Sequence, residues 1–174
     1  MPGWLIQRST PDDWQRVRAI RLRALADAPD AFGTTLAEDE ARPLAEWRER
    51  LTRGGSATFV ATQVEGGADV GLVTGAAYDG RAGDAGLFGM WVAAPFRGRG
   101  VASALVDAVI AWARASGYHR LLLDVGDDNL AAIRLYEAKG FVPTGARGSL
   151  PPPRDHVPEH ERVLFLRPGA REPG

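Results

Sequence analysis

The chain has no cysteine. Disulfides, thiolate nucleophiles and thiolate metal sites are therefore excluded, while the redox compartment stays open. No apolar run approaches the length of a membrane span, and Met1-Pro2-Gly3-Trp4-Leu5-Ile6-Gln7-Arg8 has no apolar signal core. Charge of either sign is not in excess, since 21 Lys+Arg against 22 Asp+Glu leave a net −1. That balance argues against a nucleic-acid or membrane-surface partner. His119, His156 and His160 lack metal-ligand spacing and read as surface residues, so no metal is expected. There is no Gly-x-Ser-x-Gly elbow, no P-loop lysine, no internal repeat and no linker. What is present is 174 residues, 45% hydrophobic and 25% charged. These proportions predict one cytoplasmic globular domain over 1–174, long enough to bury a core.

The most informative stretch is Arg97-Gly98-Arg99-Gly100-Val101-Ala102, followed by Ser103. It joins an apolar strand-like run, Leu87 to Val92, to a helical pattern. Val101, Ala104, Leu105, Ala108, Val109 and Trp112 share one helix face. The first turn of a helix leaves about four unpaired backbone N–H groups, and the macrodipole adds roughly half a positive charge. Gly98 and Gly100 carry no Cβ to hold a phosphate away, and Arg97 and Arg99 add charge. The stretch reads as a pyrophosphate site, with a plain strand-to-helix turn as the alternative. A dinucleotide fold fits less well. The third small position of its fingerprint falls on Ser103, and the motif lies mid-chain after hairpin-linked strands.

The remaining pattern alternates strands and helices. Leu5 to Arg8 reads as a strand. Thr10-Pro11-Asp12-Asp13 starts a helix with Trp14, Val17, Ile20 and Ala24 on its apolar face, ended by Pro29. Pro43 opens a second helix with Leu44, Trp47 and Leu51, stopped by Gly54-Gly55. Ala57 to Val64 and Val70 to Tyr78 form a hairpin through Glu65-Gly66-Gly67-Ala68-Asp69. Arg81 to Asp84 turns into the Leu87 to Val92 strand. After the long helix, His119 to Val125 is a strand and Leu130 to Lys139 a short helix. Phe141-Val142 and Arg162 to Leu166 close the sheet, with the proline-rich 150–158 a loop between them.

This order, with Arg97-x-x-Gly100-x-Ala102 after the fourth strand, resembles the GCN5-related N-acetyltransferase family. Asn129-Leu130-Ala131-Ala132-Ile133-Arg134-Leu135-Tyr136-Glu137-Ala138-Lys139-Gly140-Phe141 is similar to that family's N-x-x-A-x-x-L-Y-x-x-x-G-F segment. The resemblance implies an α/β (α+β) fold. Its mixed, mostly antiparallel sheet has about seven strands and four helices, and is splayed between strands 4 and 5. It also implies acetyl-CoA as co-substrate. The pantetheine would pair with free backbone of Met90, Trp91 and Val92 in the manner of an added strand. The pyrophosphate would lie on the amides of Arg97 to Ala102, with Ser103 close by. Asn129 and Ala132 would stand beside the pantetheine, with a helix N-cap alone as the alternative role for Asn129.

Tyr136 is the catalytic candidate, because a phenol can donate a hydrogen bond to a departing thiolate. A core aromatic satisfied by local hydrogen bonds is its other reading. The general base is less defined, because Leu87-Phe88-Gly89-Met90 lacks the glutamate many relatives carry there. Asp124 is expected to be either that base or a structural hydrogen-bond partner; Glu38, Asp39, Glu159 and Glu161 are further carboxylates. The acceptor would meet the connection Ala31 to Glu40 on one side and the proline-rich loop on the other. Acidic residues 38–40 hint at a cationic amine, and Trp47 and Trp91 are either acceptor contacts or core. The expected reaction is direct acetyl transfer to a primary amine of a small molecule or peptide. A non-catalytic CoA-binding sensor is the alternative, and a homodimer is among the family's common states.

Overall fold

The computed structural model describes residues 2–166. Position 1 and positions 167–174 of the expected domain lie outside the described residues. A seven-stranded sheet runs in the order β1-β2-β3-β4-β5-β7-β6. Its strands are β1 (Trp4–Arg8), β2 (Ser56–Gln63), β3 (Asp69–Ala77), β4 (Asp84–Val92), β5 (Arg120–Gly126), β6 (Val142–Ser149) and β7 (Pro158–Phe165). Every pair is antiparallel except β4 with β5. The helices are α1 (Trp14–Asp27), α2 (Leu36–Ala41), α3 (Leu44–Thr52), α4 (Val101–Ala115) and α5 (Leu130–Ala138).

Among the described residues the expected seven strands and mixed, mostly antiparallel sheet are present, but the helix number is corrected from four to five. The connection between the first two predicted helices folds as α2. Its start is a reciprocal cap: Thr35 N–H donates to Glu38 Oε2 at 2.6 Å, and Glu38 N–H donates to Thr35 Oγ1 at 3.2 Å. Strand limits also shift. β4 begins at Asp84 rather than Leu87, β6 runs on to Ser149, and β7 starts at Pro158 rather than Arg162. Pro158 can open an interior strand because the first residue is where a missing N–H is tolerated.

Helix α4 packs on one face of β2, β3 and β4 and buries Val101, Leu105, Val106, Val109 and Trp112. On the other face, Leu72, Thr74 and Ala76 of β3 meet Val17 of α1 and Trp47 and Leu51 of α3. Period-2 alternation along β3 separates the two layers. Trp47 and Trp91 are only 3% and 6% exposed, so both are core rather than acceptor contacts. Trp91 Nε1 donates to Asp27 Oδ2 at 2.9 Å.

Two features open the sheet at its middle. The parallel ladder between β4 and β5 covers only Asp84↔Arg120, Ala85↔Leu121 and Gly86↔Leu122. At its base the buried Asp84 pairs with Arg120 at 2.6 Å. Beyond it, β4 carries a bulge. Leu72 pairs with Trp91 but Thr74 with Phe88, so Val73 faces both Gly89 and Met90. Gly89 has φ +61°, a left-handed conformation that costs a side-chain-bearing residue roughly 1–2 kcal/mol. The bulge bends β4 away from β5, and from Leu87 onward its β5-facing edge has no strand partner.

Candidate functional site

The splay opens into a cleft of about 530 Å³. Leu87, Phe88, Gly89 and Met90 of β4 line one side, and Asp124, Val125 and Gly126 of β5 the other. Asn129, Ala132 and Tyr136 of α5 stand over it, and Glu159 of β7 completes that end. Phe32, Gly33 and Thr34, before α2, form the opposite wall with Arg21 and Arg50.

Tyr136 is 5% exposed, its ring edge-on to Phe141 at a centroid distance of 5.6 Å. Its hydroxyl has no hydrogen-bond partner among the described residues, and the side chain borders the cleft. Burial pushes the phenol far above its ordinary range, so it stays protonated across the pH range of a folded protein. The local satisfaction expected of a core tyrosine is not there.

Pairing of β5 with β7 sets the carboxylates. Asp124 stands opposite Glu161, and Gly126 opposite Glu159, so the pleat puts Asp124, Glu159 and Glu161 on one face. Glu161 is engaged by Arg81 at 2.9 Å and by the Thr144 hydroxyl at 3.0 Å, which removes it as a free base. Asp124 and Glu159 have no such partners among the described residues. Partial desolvation, then the charge of Glu161, raises the pKa of Asp124. Desolvation, then Asp124, raises that of Glu159. Each carboxyl therefore holds a proton more readily than an ordinary carboxylate does.

The other carboxylates named from the sequence lie elsewhere. Glu38 is held in the α2 cap. Asp39 is fully buried between Arg21 at 3.1 Å and Arg42 at 2.8 Å. Burial opposes its charge, but the hydrogen bonds and charges of those arginines prevail and hold its pKa below the usual value. Of the 38–40 run, Asp39 is thus withdrawn from the surface and Glu38 is engaged in the cap, while Glu40 is exposed. His160 is not a free surface residue either: its Nδ1 lies 2.8 Å from Asp127, and Arg162 donates to its Nε2 at 3.0 Å.

At the other end of β4, the turn Arg97–Gly100 leads into α4. Gly98 and Gly100 have φ of +72° and +87°, and a Cβ on Gly98 would meet nothing within 4 Å. Their positive φ, more than crowding, calls for glycine. The amides of Val101, Ala102 and Ser103 have no acceptor among the described residues, as the first turn of a helix dictates. The two arginines are differently placed. The Arg97 guanidinium is turned onto Asp27 and the Val92 carbonyl, and that of Arg99 lies over Phe96 at 5.6 Å. Asn129 Oδ1 accepts from the Ala132 N–H at 3.3 Å, so this residue does cap α5, and it also faces the cleft. Trp91 and Val92 pair with Leu72 and Gly71 of β3, while Met90 lies in the bulge and lines the cleft.

Sequence reasoning missed the arginines of the far wall. Arg154, 9% exposed in the proline-rich loop, donates to the carbonyls of Pro29, Phe32 (2.7 Å) and Gly33 (3.1 Å). This one side chain fastens the β6–β7 loop to the wall before α2. Nothing local marked it, since its partners lie more than 120 residues away.

The sheet is thus mixed and splayed at its middle, a glycine turn leads into α4, and Tyr136, Asp124 and Glu159 all line the cleft at the splay. The sequence matches the acetyltransferase (GNAT) family over residues 14–141, and the chain belongs to that family. That family is one of acetyltransferases, which places the chain in the acyltransferase class. Among relatives, N-acetyltransferase 8 of Homo sapiens is 42% identical over 59 residues, 34% of this chain and 26% of that protein. The matching stretch thus spans about a quarter of the length of such relatives. An acetyltransferase of the GNAT family from Streptococcus pneumoniae superposes with a TM-score of 0.78 at 24% identity, covering 94% of this chain and 99% of that one. The yncA protein of Salmonella typhimurium, solved with its cofactor acetyl-CoA, has a TM-score of 0.75 at 20% identity and covers 99% of both chains.

Proposed function

We propose that this chain transfers the acetyl group of acetyl-CoA directly to a primary amine. The observation that carries the reading is the Tyr136 hydroxyl, enclosed, unpartnered and bordering the same cleft as Asp124 and Glu159. The free edge of β4 beyond Leu87 would receive the pantetheine amides, as an added strand would. The first-turn amides of α4, with Gly98 and Gly100, would receive the pyrophosphate. Asn129 and Ala132 would flank the pantetheine from above.

Asp124, with Glu159 beside it, takes the proton of the incoming ammonium, leaving a neutral amine. The amine nitrogen forms the C–N bond as the C–S bond breaks, and the second proton that the nitrogen sheds passes to the departing thiolate, which leaves as CoA thiol. Tyr136 donates a hydrogen bond to the departing sulfur. Because burial weakens the phenol as an acid, and a thiol has a pKa of about 8.5, full proton transfer from Tyr136 is unfavourable. Its role is charge stabilisation of the departing sulfur. No covalent enzyme intermediate is required, in keeping with the absence of cysteine.

The test has two stages. Melting is followed with saturating acetyl-CoA, CoA and NADH; a ligand at about 100 times its Kd adds roughly 2.7 kcal/mol. Both CoA species should raise Tm by about 5–10 °C and NADH should not. Thiol release over an amine panel then reads transfer, and Tyr136→Phe should lower kcat about 100-fold while leaving Tm and the CoA-induced rise intact. Binding of CoA without transfer to any amine would favour a sensor instead.

A further inference from the structure

The far end of the cleft holds more positive charge than the protein neutralises. Arg21 reaches it from α1 and Arg50 from the end of α3, with Asp30 also on the lining, while Arg53, just past α3, borders the adjoining hollow between α1, α3 and β3. Arg42 and Arg50 both lie against Trp47, at 5.9 and 5.7 Å from the ring centroid. Two carboxylates answer these four guanidinium groups. Asp39 is shared by Arg21 and Arg42, and Glu46 pairs with Arg42 at 3.3 Å. Among the described residues, neither the Arg50 nor the Arg53 guanidinium has a hydrogen bond or an ion pair. Desolvation and the charges of Arg42 and Arg21 push the pKa of Arg50 down, as expected for a cation held among cations.

The two ends of the cleft are therefore of opposite sign. Asp124 and Glu159 mark one, with Tyr136; Arg50, backed by Arg21, marks the other. Between them lie Thr74 and Ala76 of β3 and the bulged stretch of β4. Thr74 is on β3 and Asp124 on β5, two strands apart. At about 4.8 Å per strand their backbones are roughly 10 Å apart, and the divergence of β4 from β5 widens this.

Resting on the acetyl-transfer reading above, we propose that the acceptor is a small amphoteric amine, with a carboxylate separated from the amine by a spacer, and that Arg50 recognises the carboxylate. A guanidinium offers the planar pair of N–H donors that a carboxylate accepts, and a hydrogen bond to a charged group is worth more than a neutral one. The acceptor's ammonium end is drawn to Asp124 and Glu159, which orients it toward the thioester. Its carboxylate end fixes register. An uncharged amine of equal length would be oriented at one end only.

The experiment compares glycine, 4-aminobutyrate and 6-aminohexanoate, each against its own carboxamide, as acceptors. Thiol release gives kcat and KM, and calorimetry on the CoA-saturated protein gives binding. At least one carboxylate should exceed its amide roughly tenfold to a hundredfold in kcat/KM. In Arg50→Gln that ratio should fall toward one, the loss appearing in KM, with Arg50→Lys keeping part of the preference. Arg50 makes no ion pair and Gln is a good helix former, so both variants should melt near the parent. Equal use of carboxylates and amides, or a preference that survives Arg50→Gln, overturns the proposal. So does a protein that is stabilised by acetyl-CoA yet neither binds nor acetylates any carboxylate. Failure of acetyl-CoA to raise Tm strikes instead at the acetyl-transfer reading.

Discussion

The turn before α4 and the far wall of the cleft are both places where a charged group would be held, and they are made of different material. The turn is backbone. Two glycines of positive φ and the first-turn amides of α4 do the work, and the nearby arginines are occupied with Asp27 and Phe96. The wall is side chain. Arg154 grips three carbonyls from across the sequence, and Asp39 is buried between Arg21 and Arg42. A backbone site is compact in sequence, tolerant of neighbouring side chains and general in what it binds. A side-chain site is dispersed, easily altered residue by residue, and suited to one acceptor.

If the two regions are as separate as they look, they should fail separately. The largest effect is expected from Arg154→Ala, which leaves the buried carbonyl of Phe32 and the part-buried carbonyls of Pro29 and Gly33 without their donor. Hydrogen bonds to a charged group contribute about 1.5–3 kcal/mol. A loss of roughly 3 kcal/mol in total, or about 10 °C in Tm, is expected. Affinity for CoA, titrated below the new Tm, should change less than about threefold; a parallel collapse would show the regions to be one cooperative unit.

Gly100→Val tests the other side. A β-branched residue at φ +87° is strained by at least about 1–2 kcal/mol and displaces the first-turn amides. CoA affinity should drop about tenfold, while the carboxylate-over-amide preference of the acceptor persists. Loss of that preference would mean that the turn shapes both ends.

The smallest effect concerns Asp124. A carboxyl whose pKa is raised by folding contributes its stability below the unfolded value, near 3.9, and loses it as pH rises through the folded one. At neutral pH its ionised form is therefore a burden on the fold. Asp124→Asn should raise Tm there by no more than about 2 °C, the residue being open to the cleft, and the gain should vanish as the pH falls toward 3. A variant less stable than the parent at pH 7 would mark Asp124 as structural after all.

The same contrast explains what could be read from the sequence. The glycine turn, α4 and the Asn129-to-Phe141 segment were legible because each is local: φ requirements, helical spacing and a cap within a dozen residues. The seven strands followed from turn residues and alternation. Tyr136 was identified, but its unpartnered hydroxyl depends on where α5 lies over the splay, which no local pattern encodes. The β4 bulge was hidden because Gly89 looks like any strand glycine until the register with β3 is known. The 38–40 run does not share one fate: Glu38 is held by Thr35 and Asp39 is buried between the arginines at 21 and 42, while Glu40 stays exposed, and only tertiary contacts tell them apart. Arg50 was invisible for the opposite reason: its significance lies in the partners it does not have.

The short parallel contact of β4 with β5 has a consequence for how the molecule breathes. A sheet of seven strands ordinarily protects its centre best and frays at the rim. Here the fewest rungs lie in the middle, so β1–β4 and β5–β7–β6 are joined there by three residue pairs, with the Asp84–Arg120 and Arg81–Glu161 bridges, the Arg154 clamp and core side chains adding to them. In terms of local unfolding, the domain is two cooperative blocks meeting along a soft seam. Amides bordering that seam should exchange with solvent faster than their depth alone implies, and a molecule lying along it would bind the two blocks into one.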